Sequence, residues 1–137
     1  MMFRRSIVFL GFVVLVYSKI QLPEELQDYV TDLHDICIKK SGITEADHVA
    51  YDIINNPHEA KLQCYMKCLM FESKWMNADG AIDYDYILES AHPEIKDPLE
   101  AALNKCRNIQ DDPDLCKKSS IFNACMYNAD SENWYLI

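Results

Sequence analysis

The stretch KLQCYMKCLMF, Lys61 to Phe71, places two cysteines four residues apart inside a run with helical spacing. Three chemistries share such a pair: a redox dithiol, half of a metal site, or the separate halves of two disulfides. A redox pair takes the form Cys-x-x-Cys, whereas three residues separate Cys64 from Cys68. A zinc site needs a second cluster of thiolates or histidines at ligand spacing, and none of the four histidines forms one. No metal is therefore expected, and the disulfide reading is left for the rest of the chain to test.

The first eighteen residues, MMFRRSIVFLGFVVLVYS, set the compartment. Arg4 and Arg5 precede an apolar core from Ile7 to Tyr17, the layout of a secretory signal peptide. That core is short for a bilayer span, and nothing after Leu22 lengthens it into a retained anchor. Val16-Tyr17-Ser18 suits a signal peptidase, so cleavage is expected after Ser18. What remains, 19–137, has the size of one modest domain and ends in a tail, 129–137.

Without the two leader arginines, 11 basic residues face 22 acidic ones, a formal charge near −11. Nucleic acid and anionic membrane surfaces are poor partners for such a chain. Charge of this sign favours solubility at high concentration. The composition shows no linker, internal repeat or low-complexity segment. In an oxidising extracellular setting, an even count of six cysteines, 37, 64, 68, 106, 116 and 125, predicts three disulfides.

Helical periodicity runs through the chain. Leu26, Val30, Leu33 and Cys37 follow i, i+4, i+7, i+11, and so do Cys64, Cys68, Phe71 and Trp75. Ile95, Leu99, Ala102 and Cys106 repeat the pattern. Thr44-Glu-Ala-Asp47, Asn56-Pro57-His-Glu59 and Asp97-Pro98-Leu-Glu100 each read as a helix start, and Asp112-Pro113 as another. Gly42 ends the first helix and Asn77-Ala-Asp-Gly80 makes a turn. No alternating Val/Ile/Thr run suggests a sheet. The expectation is all-α, with six helices at roughly 23–41, 44–55, 57–75, 83–90, 98–109 and 113–128.

Helical placement constrains the pairing. Cys64 and Cys68 leave one helix face in successive turns, a poor geometry for bonding each other. Cys116 and Cys125 are about 13.5 Å apart along a helix axis. Excluding those two pairs leaves 10 of the 15 connectivities open, and in each of them the third helix is clasped at two points.

The full spacing, Cys37-x26-Cys64-x3-Cys68-x37-Cys106-x9-Cys116-x8-Cys125, resembles that of the six-cysteine insect odorant-binding proteins. The likeness covers all of 19–137. LHDIC at 33–37, SGITEA at 41–46, KLQCYMKC at 61–68, NADGAID at 77–83 and the closing NWYLI resemble the branch of that family whose C-terminal tail forms a pocket wall. The resemblance implies a compact six-helix fold around an apolar cavity. It also implies the pairing Cys37–Cys68, Cys64–Cys116 and Cys106–Cys125, one of the ten left open above.

Two decoys fail on their surroundings. His34-Asp35-x-Cys37 resembles part of the catalytic signature of secreted phospholipases A2, but Val30-Thr31 stands where that family has paired cysteines, and the glycine-rich calcium loop is missing. Asn77-x-Asp79-Gly80 resembles a calcium loop, yet it would place Trp75 and Tyr86 at the terminal ligand positions, neither a carboxylate. No nucleophile elbow, catalytic carboxylate pair or phosphate-binding loop appears, so neither enzyme nor cofactor is expected.

The resemblance thus implies a secreted carrier of small, uncharged, apolar odorants or pheromones, working in sensory lymph and delivering to a membrane chemosensory receptor. The competing class is a disulfide-stapled helical signalling protein with a filled core and an exposed hot spot. Weak homodimerisation through helix faces is compatible with either. By family alignment the pocket is expected to be lined by Tyr84, Ile87, Leu88, Ala91, Leu99, Ala102, Leu103, Phe122, Met126, Trp134, Tyr135 and Leu136, with the Tyr84 or Tyr135 hydroxyl as polar handle. Met126 stands where close members of the branch carry a tryptophan. The resemblance further implies a latch in which His34 and Tyr65 hold the end of the tail at Ile137, giving pH-dependent release.

Overall fold

The computed structural model describes residues 22–137; the leader read at 1–18 lies outside the described residues. Six helices follow one another: α1 Glu24–Ser41, α2 Glu45–Val49, α3 Ala60–Glu72, α4 Tyr84–Ser90, α5 Pro93–Lys105 and α6 Leu115–Ala129. Among the described residues there is no strand, only an isolated antiparallel bridge between Met76 and Ile82. The fold is all-α.

Local chemistry explains the starts and stops. Glu24 and Glu25 in the first turn of α1, with Lys39 and Lys40 in the last, complement the helix dipole. Gly42, at φ 75°, then turns the chain left-handed while its N–H bonds Ile38 O. Thr44 and Asp47 form a reciprocal capping box on α2. That helix stops at Val49 instead of the expected 55, because the Asp52 carboxylate takes the N–H groups of Ile54 and Asn55 into a turn.

Three starts are displaced from their expected positions. α3 begins at Ala60, since the Asn56 side chain donates to Glu59 and Glu59 itself is the cap. α6 begins at Leu115, with Asp114 and not Asp112 accepting from Cys116 and Lys117 N–H. α5 begins five residues early: His92 caps it, Pro93 is its first residue, and Pro98 sits inside the helix. Both prolines suit a first position, but only Pro93 occupies one, and Pro98 removes one internal hydrogen bond.

α3 is the central element, packed chiefly on α6 and then on α1, while α5 packs on α6 and α4. Two core clusters result. Leu33, Cys37, Leu62, Tyr65, Met66 and Leu69 join α1 to α3. Met70, Met76, Ile87, Ala102, Leu103, Cys106, Phe122 and Met126 join the end of α3 to α4, α5 and α6. The disulfides are Cys37–Cys68, Cys64–Cys116 and Cys106–Cys125, the pairing implied by the resemblance. The two cysteines of the opening stretch therefore fasten α3 to α1 and to α6, each bridge stabilising the fold by about 2–4 kcal/mol. The 77–80 turn needs Gly80 for its φ of 87°, a conformation that strains other L residues.

Candidate functional site: an apolar cavity closed by the tail

Between the two clusters lies a cavity of about 240 Å³. It is small beside the ~300–1,000 Å³ of typical ligand pockets, which points to small occupants. α1 contributes the stripe Leu26, Tyr29, Val30 and Leu33, and α3 with its following turn contributes Leu69, Met70, Ser73 and Trp75. Ile95, Pro98, Leu99 and Ala102 come from α5, and Phe122, Asn123 and Met126 from α6. Tyr29 and Tyr135, 47% and 40% exposed, stand at the opening. Burial raises the pKa of both phenols, with the Tyr86 charge adding to the effect at Tyr29.

Leu99, Ala102, Phe122, Met126, Trp134, Tyr135 and Leu136 of the expected wall face this cavity. Tyr84, Ile87, Leu88, Ala91 and Leu103 do not line it. Ile87 and Leu103 are buried in the α4–α5–α6 core, Leu88 packs against that core, and Ala91 ends α4. Tyr84 is no free handle either: its hydroxyl donates to Cys106 O at 2.7 Å, its ring lies against Arg107, and burial outweighs that cation in raising its pKa. The α1 and α3 wall was missing from the expectation. Its signal was the Leu26–Val30–Leu33 stripe, which looks the same whether it meets side chains or a void.

The tail is built to return. Asp130 ends α6, and its carboxylate accepts from the Asn133 backbone and side-chain N–H groups, while Trp134 N bonds Asp130 O. This turn sends Trp134, Tyr135, Leu136 and Ile137 back along the cavity wall. The Trp134 ring meets Tyr127 edge to face, centroids 5.6 Å apart.

At the far end the backbone oxygen of Ile137 accepts from the Tyr65 hydroxyl and from His48 Nε2, the latter at 2.8 Å. His34 does not reach Ile137. It bonds the Tyr65 hydroxyl through Nδ1 at 2.7 Å, and Glu45 through Nε2 at 2.9 and 3.1 Å. The residue that grips the tail beside Tyr65 is thus His48, while His34 positions the Tyr65 hydroxyl. His48 escaped sequence reading because only the fold brings α2 beside the tail. Tyr65 has a single hydroxyl proton, and giving it to Ile137 leaves its oxygen to accept from His34. Glu45 can only accept, so the complete set of contacts uses both ring nitrogens of His34 as donors. Burial first, then the Glu45 and Asp35 charges, pushes the Tyr65 pKa well up and keeps the phenol a donor.

Residues 20–129 match the PBP/GOBP family. Odorant binding protein 5 of Apis mellifera is similar over 85% of this chain and 98% of its own, with a TM-score of 0.71 at 22% identity. Odorant Binding Protein 7 from Anopheles gambiae, solved with four disulfide bridges and in complex with an azo compound, gives 0.69 at 25% identity, covering 82% and 91%. OBP56a, a fatty acid binding protein from the oral disk of the blowfly Phormia regina, gives 0.59 at 23%, covering 82% and 97%. Where identity is this low, structural likeness establishes the fold, and the family match carries the relationship. The chain belongs to the PBP/GOBP family, and its six-cysteine helical frame is that of an insect odorant-binding protein.

Proposed function

We propose that this protein is a secreted carrier that solubilises small, uncharged, mostly apolar odorants or pheromones and delivers them to membrane chemosensory receptors. The observation that carries the reading is the apolar cavity walled on one side by the chain's own tail. Among the described wall residues there is no Lys, Arg or His, and the only side-chain carboxyl is that of Asp130. Nothing there offsets the desolvation of an anionic ligand, which supports a neutral one. The Anopheles gambiae relative, solved with an azo compound, and the Phormia regina relative, described as a fatty acid binding protein, support uptake of small organic molecules. Three disulfides, the leader read at 1–18, and the lack of any membrane-crossing helix among the described residues support secretion.

The tail is the release element in this proposal, opening as the medium becomes acidic. The tail as a gate rests on geometry, since four residues of wall are held at their far end by two hydrogen bonds; the acid direction rests on the family resemblance alone, because the closed corner already uses His34 and His48 as donors. The test of the carrier is displacement of a fluorescent apolar probe from the oxidised monomer at neutral and at mildly acidic pH. Uncharged volatile compounds are expected to displace it at one site, more weakly in acid. A correctly oxidised monomer that binds no such probe overturns the carrier reading.

A further inference from the structure

The same corner of the molecule carries a second cluster. His34 projects from the middle of α1, and Glu45 and His48 project from α2, one turn apart and held by the Thr44–Asp47 capping box. One ligand atom from each of the three lies within 4.8 Å of the others, and the two imidazole centroids are 4.6 Å apart. The His34 side chain is 19% exposed and Glu45 65%, so an ion can enter from solvent.

We propose that His34, Glu45 and His48 form a binding site for a divalent transition metal of the zinc class. Two imidazoles and a carboxylate are the donor set such an ion takes when it keeps one open position for water. Ligand atoms around tetrahedral zinc are about 3.4 Å apart; His34 Nε2 and Glu45 already stand 2.9 Å apart, and with all three atoms within 4.8 Å the set closes by shifts on the order of 1 Å. His34 uses Nε2 toward the ion, and the hydrogen now shared between that nitrogen and Glu45 leaves to solvent as a proton. Its Nδ1 stays bonded to the Tyr65 hydroxyl, the outer hydrogen bond that orients a metal-binding imidazole. Calcium and magnesium are excluded by chemistry, since both prefer oxygen ligands. The sequence hides this site: His34 and Glu45 are eleven residues apart and on different helices.

The site does not depend on the carrier reading, and its test needs no ligand in the cavity. Zinc titration by calorimetry, and visible absorption on adding cobalt, are run on the oxidised chain in a non-coordinating buffer. One ion per chain and a tetrahedral cobalt spectrum are expected, with the zinc form unfolding at higher temperature. Glu45→Gln and His48→Gln are each expected to weaken zinc binding tenfold or more. His58→Gln and His92→Gln leave it unchanged, because His58 bonds Ser120 and His92 caps α5. Circular dichroism and melting without metal establish that each variant is folded. No saturable zinc binding by the parent chain, equal binding by a folded Glu45→Gln, His48→Gln double variant, or competition by calcium at equal concentration overturns the proposal.

Discussion

Replacing Tyr65 by phenylalanine removes one oxygen from the corner where the tail ends. That oxygen makes two contacts with different meanings. The bond from His34 exists whether the tail is closed or open, so its loss lowers stability in both states and cancels from ligand affinity. The bond to Ile137 exists only when the tail is closed. A bond of this kind contributes about 1 kcal/mol net, roughly a fivefold change in the closure equilibrium. Affinity scales with the closed fraction, so about fivefold is the ceiling, approached when the tail of the empty protein is mostly open. His48 keeps its own bond to the same oxygen, which prevents complete release. The expected result is a two- to fivefold weaker probe affinity at neutral pH, and a stability loss of about 1–3 kcal/mol from unpaired polar groups around a fully buried ring. Tyr51→Phe is the control: its hydroxyl donates to Pro57 O at 2.9 Å, and Tyr51 is not among the wall residues, so stability falls while affinity holds. Probe titration and urea unfolding of both variants decide the matter. If Tyr65→Phe loses stability but binds as tightly as the parent, the hydroxyl is structural and the latch argument fails.

Deleting Trp134 to Ile137 is expected to weaken binding and to remove most of its pH dependence; equal affinity with the same loss in acid excludes the tail as the release element. Met126→Trp narrows the wall at α6 and shifts preference toward shorter ligands, so an unchanged rank order across a chain-length series contradicts its placement. In alkali, burial keeps the Tyr65 phenol protonated and, with the Asp52 charge adding, pushes the Tyr51 pKa up to about 12. The unfolded chain gives up these protons first, from about pH 10, so stability is intact below that value and falls as pH rises toward 12. A urea midpoint that stays flat from pH 9 to about 12 refutes this sign.

The frame was legible because its signals are local or covalent. The x3 and x8 cysteine spacings, the Thr44–Asp47 box and Gly42 each act within a few residues, and each stands where the sequence puts it. Boundaries were missed where two residues competed for one role. Asp112 and Asp114 compete to cap α6, as Asn56 and Glu59 do for α3, and the later of each pair makes the cap hydrogen bond. Pro98 had the sequence context of a first helical residue, but Pro93 fills that position five residues earlier. Leu99, Ala102, Phe122 and Met126, expected from family likeness, line the cavity, as do Leu26, Val30 and Leu33, which were visible only as a helical stripe. His48 was out of reach, since its nearness to Ile137 spans 89 residues of chain.

The placement of the three disulfides has a mechanical consequence. Two wall segments are anchored by a disulfide at one end only: α1 at Cys37 and the tail at Cys125. The wall positions Leu26 to Leu33 and Trp134 to Ile137 lie on the free side of those anchors. They behave as cantilevers projecting from a riveted base of α3 and α6, able to deflect by small hinge motions without loading any covalent bond. Such a container widens or narrows around occupants of different length while its base keeps one shape, so breadth of cargo and resistance to unfolding need not be traded against each other.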